Sequence, residues 1–314
     1  MKRIFKTVTA AALLSACTAT FAFGFTACGG KSTASEAPSD VGITRLQAPT
    51  DGSLPTAHTA QENLAYMAYV LDNQPQYHCY TYTVTQASIA TQYTKSYKDY
   101  RDGVTISSDI TYSSMVKSGS QACFVNGADG QEAYMRYSAA PDAETTNLTA
   151  QWETGAPYYF DTQTYLTTYG LFQTEMTNYI INAETITDSS AATDNGDGAY
   201  SQSVVLDPVA STYYYQYGMK TRGGLTGFPE FQSVSLTFTF DSSWRVLAID
   251  VDEVSKVNKG VTVTSTSHSR AEYSYDAADF DEAHYAYYDS YFKQYIGSGE
   301  LNTGGGSTAR DVAD

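Results

Sequence analysis

The chain has 314 residues, 42% hydrophobic and 14% aromatic, enough for one large or two small cores and too much for a disordered chain. Its formal charge is −16, and so acidic a surface repels phosphate backbones and anionic head groups, which argues against nucleic-acid binding and against electrostatic membrane attachment. The 28 Tyr outnumber the 18 Lys plus Arg, and with abundant Thr and Ser they favour half-exposed β-strands.

Lys2, Arg3 and Lys6 open the chain, and no charge follows from Thr7 to Ala27. That is the layout of an export signal. It runs into Phe25-Thr26-Ala27-Cys28-Gly29-Gly30-Lys31, which resembles the lipobox of bacterial lipoproteins, with Phe25 where that family usually has Leu. The resemblance implies that signal peptide 1–27 is removed and that the Cys28 sulfur carries a diacylglycerol. The protein would then be tethered outside the cytoplasmic membrane. Removing three bases from a chain of charge −16 leaves about −19. Leu14-Ser15-Ala16-Cys17 spells a second such site. Attachment there would leave the apolar run TATFAFGFTA as tether, whereas Cys28 leaves GGKSTASEAPSD, small and polar as a solvated tether should be. An uncleaved anchor helix is the alternative, since about 20 uncharged residues can span a bilayer. The tether is expected over 28–56.

Along the body, Leu64, Met67 and Leu71 recur at helical spacing within 57–73, and Pro75 follows as a stop. Tyr80, Tyr82 and Val84 alternate with Thr81, Thr83 and Thr85, which predicts a strand over 77–89. Strands continue over 92–100 and 103–116. A hairpin is expected over 121–137, turned at Asn126-Gly127 and Asp129-Gly130. A loop (139–156) precedes a helix over 161–181 with Asp161 as N-cap and Leu166, Tyr169, Phe172 and Met176 on one face, a helix that Gly170 weakens. A second hairpin spans 183–206 and a short helix 208–220. Val234, Leu236, Phe238 and Phe240 then alternate with Ser and Thr, an antiparallel strand with one apolar and one wet face. Asp241-Ser242-Ser243 turns it into 244–255, where Leu247, Ile249 and Val251 share a face. Another strand follows over 261–275. Tyr285, Tyr288, Phe292 and Tyr295 stripe a helix over 279–295, and a Gly/Ser/Thr-rich tail (297–314) is expected to be disordered.

No strand–helix alternation builds a parallel sheet here. The expected fold is α+β: one domain over 57–296, a curved antiparallel sheet with helices packed on one side. This order on an exported chain resembles the LolA/LppX-like lipoproteins, and VSLTFTFDSSWRVLAIDVDEV (234–254) looks like the strand–turn–strand of their C-terminal half. The resemblance implies an incompletely closed β-barrel that binds acyl chains or other apolar ligands. Leu236, Phe238, Phe240, Leu247 and Ile249 would line its cavity. The alternative is a surface protein with a solid core that recognises a glycan or polypeptide, presenting tyrosines to it.

Catalytic chemistry finds little support, and the expectation is a protein that is not an enzyme and carries no cofactor. GxSxG, HExxH, CxxC and Gly-rich phosphate loops are missing. His58, His78, His268 and His284 are scattered, so no metal site is expected. Asp194-Asn195-Gly196-Asp197-Gly198 lacks the ligand alternation of a calcium loop and reads as a turn. Ser114–Lys117 and Ser290–Lys293 spell SxxK without the companion motifs of penicillin-recognising enzymes. Asp250, Asp252 and Glu253 read as solvated charges on a strand face. In an exported domain Cys79 and Cys123 are a candidate disulfide, the alternative being two unpaired core thiols.

Overall fold

A computed structural model describes residues 42–298 except 89, 115–116, 128–129, 139–143, 147–149, 172–174, 224–226, 259–261 and 280–281. The signal segment, both lipidation candidates and residues 299–314 of the tail lie outside the described residues.

Helix α1 (Ala60–Asp72) begins in a capping box, in which Thr59 accepts from the Glu62 amide and Glu62 accepts from the Thr59 amide. Its buried stripe is Leu64, Met67 and Leu71, as the spacing predicts. The domain begins before residue 57. Ile43 is buried and bridges to Ile181, and Arg45 pairs with Asp72 and Glu175. The segment from residue 42 to 56, expected as tether, is therefore part of the folded domain.

Strands β1 (Gln76–Ala87), β2 (Ala90–Arg101), β3 (Val104–Tyr112), β4 (Lys117–Gly127), β5 (Gly130–Ser138) and β6 (Tyr158–Phe160) form one antiparallel meander. Strands β7 (Ile186–Ser189), β8 (Thr193–Gly196), β9 (Ala199–Leu206), β10 (Glu230–Asp241), β11 (Val246–Asn258) and β12 (Thr262–Ser274) form a second. Pairing of β1 with β12 joins them into a 12-stranded curved sheet that ends at β6 and β7 without closing. Asp102-Gly103 and Asp197-Gly198 both take positive φ, the pattern of two-residue turns whose twist suits a hairpin. The fold is thus the α+β half-barrel that the element order predicts, with the difference that the C-terminal helical segment packs on the sheet face opposite the other helices.

The expected helix over 161–181 is shorter. Helix α2 (Thr162–Tyr169) keeps Asp161 as its cap but ends at Gly170, whose φ is 84°. A Cβ there would stand 2.3 Å from the Tyr214 carbonyl oxygen of α3 (Tyr213–Gly223), so only glycine permits this approach. Met176 is buried beyond the helix rather than on its face.

Strand register assigns each side chain a face. The concave face carries two apolar clusters. One gathers Leu64 and Met67 of α1 with Val234, Leu236, Phe238, Phe240 and Ile249. The other gathers Ala122, Phe124, Ala133 and Met135 with Tyr165 of α2. On the convex face, Ile106, Cys123 and Tyr134 are covered by Tyr291 and Phe292, just beyond α4 (Glu282–Tyr287). The expected C-terminal helix changes there into a π turn over Tyr288–Phe292.

Cys79 and Cys123 are free, buried thiols. Three strand spacings, about 14 Å, separate β1 from β4, well beyond the reach of a disulfide. Register also points the two to opposite faces, because Cys79 lines up through Lys98 and Ser107 with Ala122 rather than Cys123. The candidate disulfide is corrected to two core thiols.

Candidate functional site

Four of the five expected cavity-lining residues are packed. Leu236, Phe238, Phe240 and Ile249 are at most 2% exposed and belong to the cluster beneath α1. Leu247 leaves that face. Thr239 pairs with Ala248 and Phe240 with Val246, so Leu247 is the extra residue of a β-bulge and is only half-buried. Of the quintet, Ile249 also borders a cavity.

That cavity, about 240 Å³, opens between the two apolar clusters on the concave face of β11, β12, β1, β2 and β3. Register builds it from three polar rows. The first crosses the sheet as Glu253, Ser267, Thr85 and Gln92, and the second as Val251, Ser269, Thr83, Thr94 and Thr111. The third runs Ile249, Ala271, Thr81, Ser96 and Asp109. The alternation that puts Tyr80, Tyr82 and Val84 on the convex face therefore turns the threonines of β1 inward. Hydroxyls pair across strands: Thr85 with Ser267 at 2.7 Å, Thr83 with Ser269 at 2.9 Å, Thr94 with Thr111 at 3.0 Å. Residues Glu175–Tyr179 and Tyr215 bound the space opposite the sheet, with Lys98 Nζ donating to the Glu175 carbonyl at 3.2 Å.

Glu253 corrects the reading of the acidic cluster. Asp250 and Asp252 do face solvent on the convex side, paired with Arg270 and His268. Glu253 is buried on the concave side and accepts a 2.6 Å hydrogen bond from the Tyr179 hydroxyl. The signal was legible: Ile249, Val251 and Glu253 share the period-two face. Burial raises its pKa to about 6, against which the hydrogen bonds from Tyr179 and Ser267 act. Burial also holds Lys98, part-exposed but with its ammonium inside the groove, below the usual lysine value.

The Glu253 proton is held more tightly in the folded state than in the unfolded chain. Its stabilising effect is full below the ordinary carboxyl range and is lost as pH rises through about 6. Glu253→Gln keeps an acceptor for Tyr179. It is expected to be about 2 kcal/mol more stable than wild type at mildly alkaline pH, the gap closing towards about pH 4. Thermal melts of both proteins across that range measure it, and parallel profiles would refute the burial argument.

The two carboxyls of the sheet face of the groove are far apart. Glu253 on β11 and Asp109 on β3 stand four strand spacings apart, about 19 Å along the sheet. His58 contacts Ser53, His78 contacts Asp99 and His268 contacts Asp252, at separate places, and the His284 side chain lies outside the described residues. Among the described residues no group of His, Cys, Asp or Glu could hold a metal ion. Asp194 accepts from the Gly196 amide in a turn, and Lys293 pairs with Asp289 rather than with Ser290. In the other SxxK segment, Met115 and Val116 lie outside the described residues. The expected tyrosine surface resolves into cross-strand sheet packing. Half-buried Tyr80–Tyr97 and Tyr93–Tyr112 pairs stand 5.1 and 5.3 Å apart on the convex face. Among the described residues no helix is long and apolar enough to cross a membrane.

Fold and groove together define an open antiparallel half-barrel with a hydroxyl-lined depression in its concave face. No family model matches the chain, and no curated protein does. Among solved structures it is similar to a DUF1329 family protein from Desulfovibrio piger, at 11% identity and a TM-score of 0.25, over 70% of this chain and 94% of that one. So low a score carries no argument about function.

Proposed function

We propose that the protein is a membrane-tethered extracytoplasmic lipoprotein that binds a small polar ligand, without catalysis, in its concave groove. The observation that carries this is the unfilled space of about 240 Å³ lined by threonine and serine hydroxyls, beside an apolar face that is packed solid. The space is small against the roughly 300–1,000 Å³ of drug-sized sites, which suits a compact ligand. The anchor reading rests on the basic start, the uncharged run to Ala27 and the small residues around Cys28. One experiment tests both parts. The chain is purified from its own membranes in mild detergent and analysed by native mass spectrometry beside Cys28→Ser and Thr83→Trp. We expect Cys28→Ser to leave the membrane fraction, and Thr83→Trp to fill the groove and lose a small polar mass that wild type carries. Retention of that mass by folded Thr83→Trp sinks the groove reading. Unchanged membrane attachment of Cys28→Ser sinks the anchor reading.

A second reading, an apolar or lipid-like ligand, is favoured by a separate depression of about 480 Å³ in which Val209, Phe228, Pro229, Phe231 and Val257 are mixed with polar side chains such as Glu230 and Lys256. Val209 and Phe228 are exposed there. An acyl-chain mass lost on Phe228→Asp would favour it.

A further inference from the structure

Resting on the polar-groove reading, we infer that the ligand is an uncharged saccharide, seated with one ring face on Ile249 and Val251 and its hydroxyls on the β1–β2 side. Three features of the groove point to that chemistry.

The first is its gradient. Two of the three rows change across the sheet, from Val251 to Ser269, Thr83 and Thr94 and from Ile249 and Ala271 to Thr81 and Ser96, while the first, from Glu253 to Gln92, is polar throughout. A ligand matching it needs an apolar C–H face and a hydroxyl edge on one compact body. A pyranose ring has both, whereas an acyl chain has no hydroxyl edge.

The second is the unused hydrogen-bonding capacity. Each hydroxyl in the Thr83–Ser269 pair can both donate and accept, and the pair satisfies only part of that, whereas in the Thr85–Ser267 pair Ser267 is also bonded to Glu253. Gln92 closes the first row, is 6% exposed and borders the cavity. Its Oε1 is buried with no hydrogen-bond partner among the described residues. An orphaned buried acceptor costs about 1–3 kcal/mol until a donor reaches it, and a sugar hydroxyl is such a donor.

The third is charge and geometry. Lys98 and Asp109 bring opposite charges to adjacent strands, Glu175 is paired with Arg45, and Glu253 adds an acid, so the lining holds no positive excess that would favour an anion over an uncharged ligand. Extended polypeptides are captured at sheet edges through backbone hydrogen bonds. This groove lies on the face of five paired strands, whose backbone groups are taken up in the ladders.

The full chain in mild detergent is titrated with D-glucose, N-acetyl-D-glucosamine and maltose, and in parallel with dialanine and octanoate, by saturation-transfer NMR and thermal shift. We expect at least one saccharide to bind and neither of the other probes to compete with it. Gln92→Leu should weaken that binding about tenfold, equivalent to about 1.4 kcal/mol. Its melting temperature should not fall, because the replaced acceptor has no partner in the free protein. Thr83→Val should weaken binding as well, reading the neighbouring strand of the same side through a second polar group. Binding of dialanine or octanoate that Thr83→Val abolishes, with no saccharide bound, overturns the saccharide inference and leaves the groove reading standing. Saccharide binding unaltered in both variants also overturns it, by placing the site elsewhere. If no probe binds and none shifts the melting temperature, the inference and the groove reading fall together.

Discussion

Phe238→Ala is expected to destabilise the protein by about 3–5 kcal/mol, the range for truncating a fully packed phenylalanine. Phe238 is 1% exposed and shares a cluster with Leu64, Met67 and Leu236. Such a loss is a large share of the roughly 5–15 kcal/mol that holds a domain folded. The measurement is urea unfolding of both proteins by far-UV circular dichroism, read from the shift in midpoint at constant slope. It also separates two pictures of this face. If Phe238 lined an open lipid cavity, truncation would remove few contacts and cost below about 1 kcal/mol, and the half-barrel would have to be redrawn with a hollow under α1.

Asn63→Leu is expected to cost about 3 kcal/mol and to change the emission of Trp244. Asn63 is fully buried on the otherwise apolar face of α1. Its Oδ1 accepts from Trp244 Nε1 at 2.7 Å, while Nδ2 donates to Gln202 Oε1 and to the Pro55 carbonyl, both at 3.0 Å. The Pro55 carbonyl keeps the His58 amide, so the substitution strips the partner chiefly from Trp244 and Gln202, at about 1–3 kcal/mol each. Trp244 occupies the β10–β11 turn at φ 58°, a conformation held only where the surroundings over-determine it. Edge contacts with His58 and Tyr66 complete that hold. Fluorescence-monitored melts read both effects, and an unchanged midpoint with unchanged emission would show that the turn does not depend on Asn63.

The two predictions bear on opposite halves of the sequence reading. Alternation in β10 was legible because a strand with one wet face must place Val234, Leu236, Phe238 and Phe240 on the other. The same period in β1 was legible too. Its consequence was not, since alternation alone cannot say whether the tyrosines or the threonines face the concavity. The Asn63 network joins α1, β9 and the β10–β11 turn, residues up to 181 positions apart, and no local pattern encodes it.

By itself the sequence determined the α+β class, the antiparallel sheet, the helix carrying Leu64, Met67 and Leu71, Asp161 as a cap and several turns, because these follow from hydrophobic period and local backbone preference. Glu253 was within its reach by the period of Ile249 and Val251, and charge alone misassigned it to the solvent. Only the tertiary structure decided which apolar face is filled and which polar face stays open. A packed core and a ligand cavity present the same alternation, and they differ only in whether another element arrives to fill the space. Here α1 and α2 cover the two ends of the concave face, and the hydroxyl rows between them are left with room for a ligand.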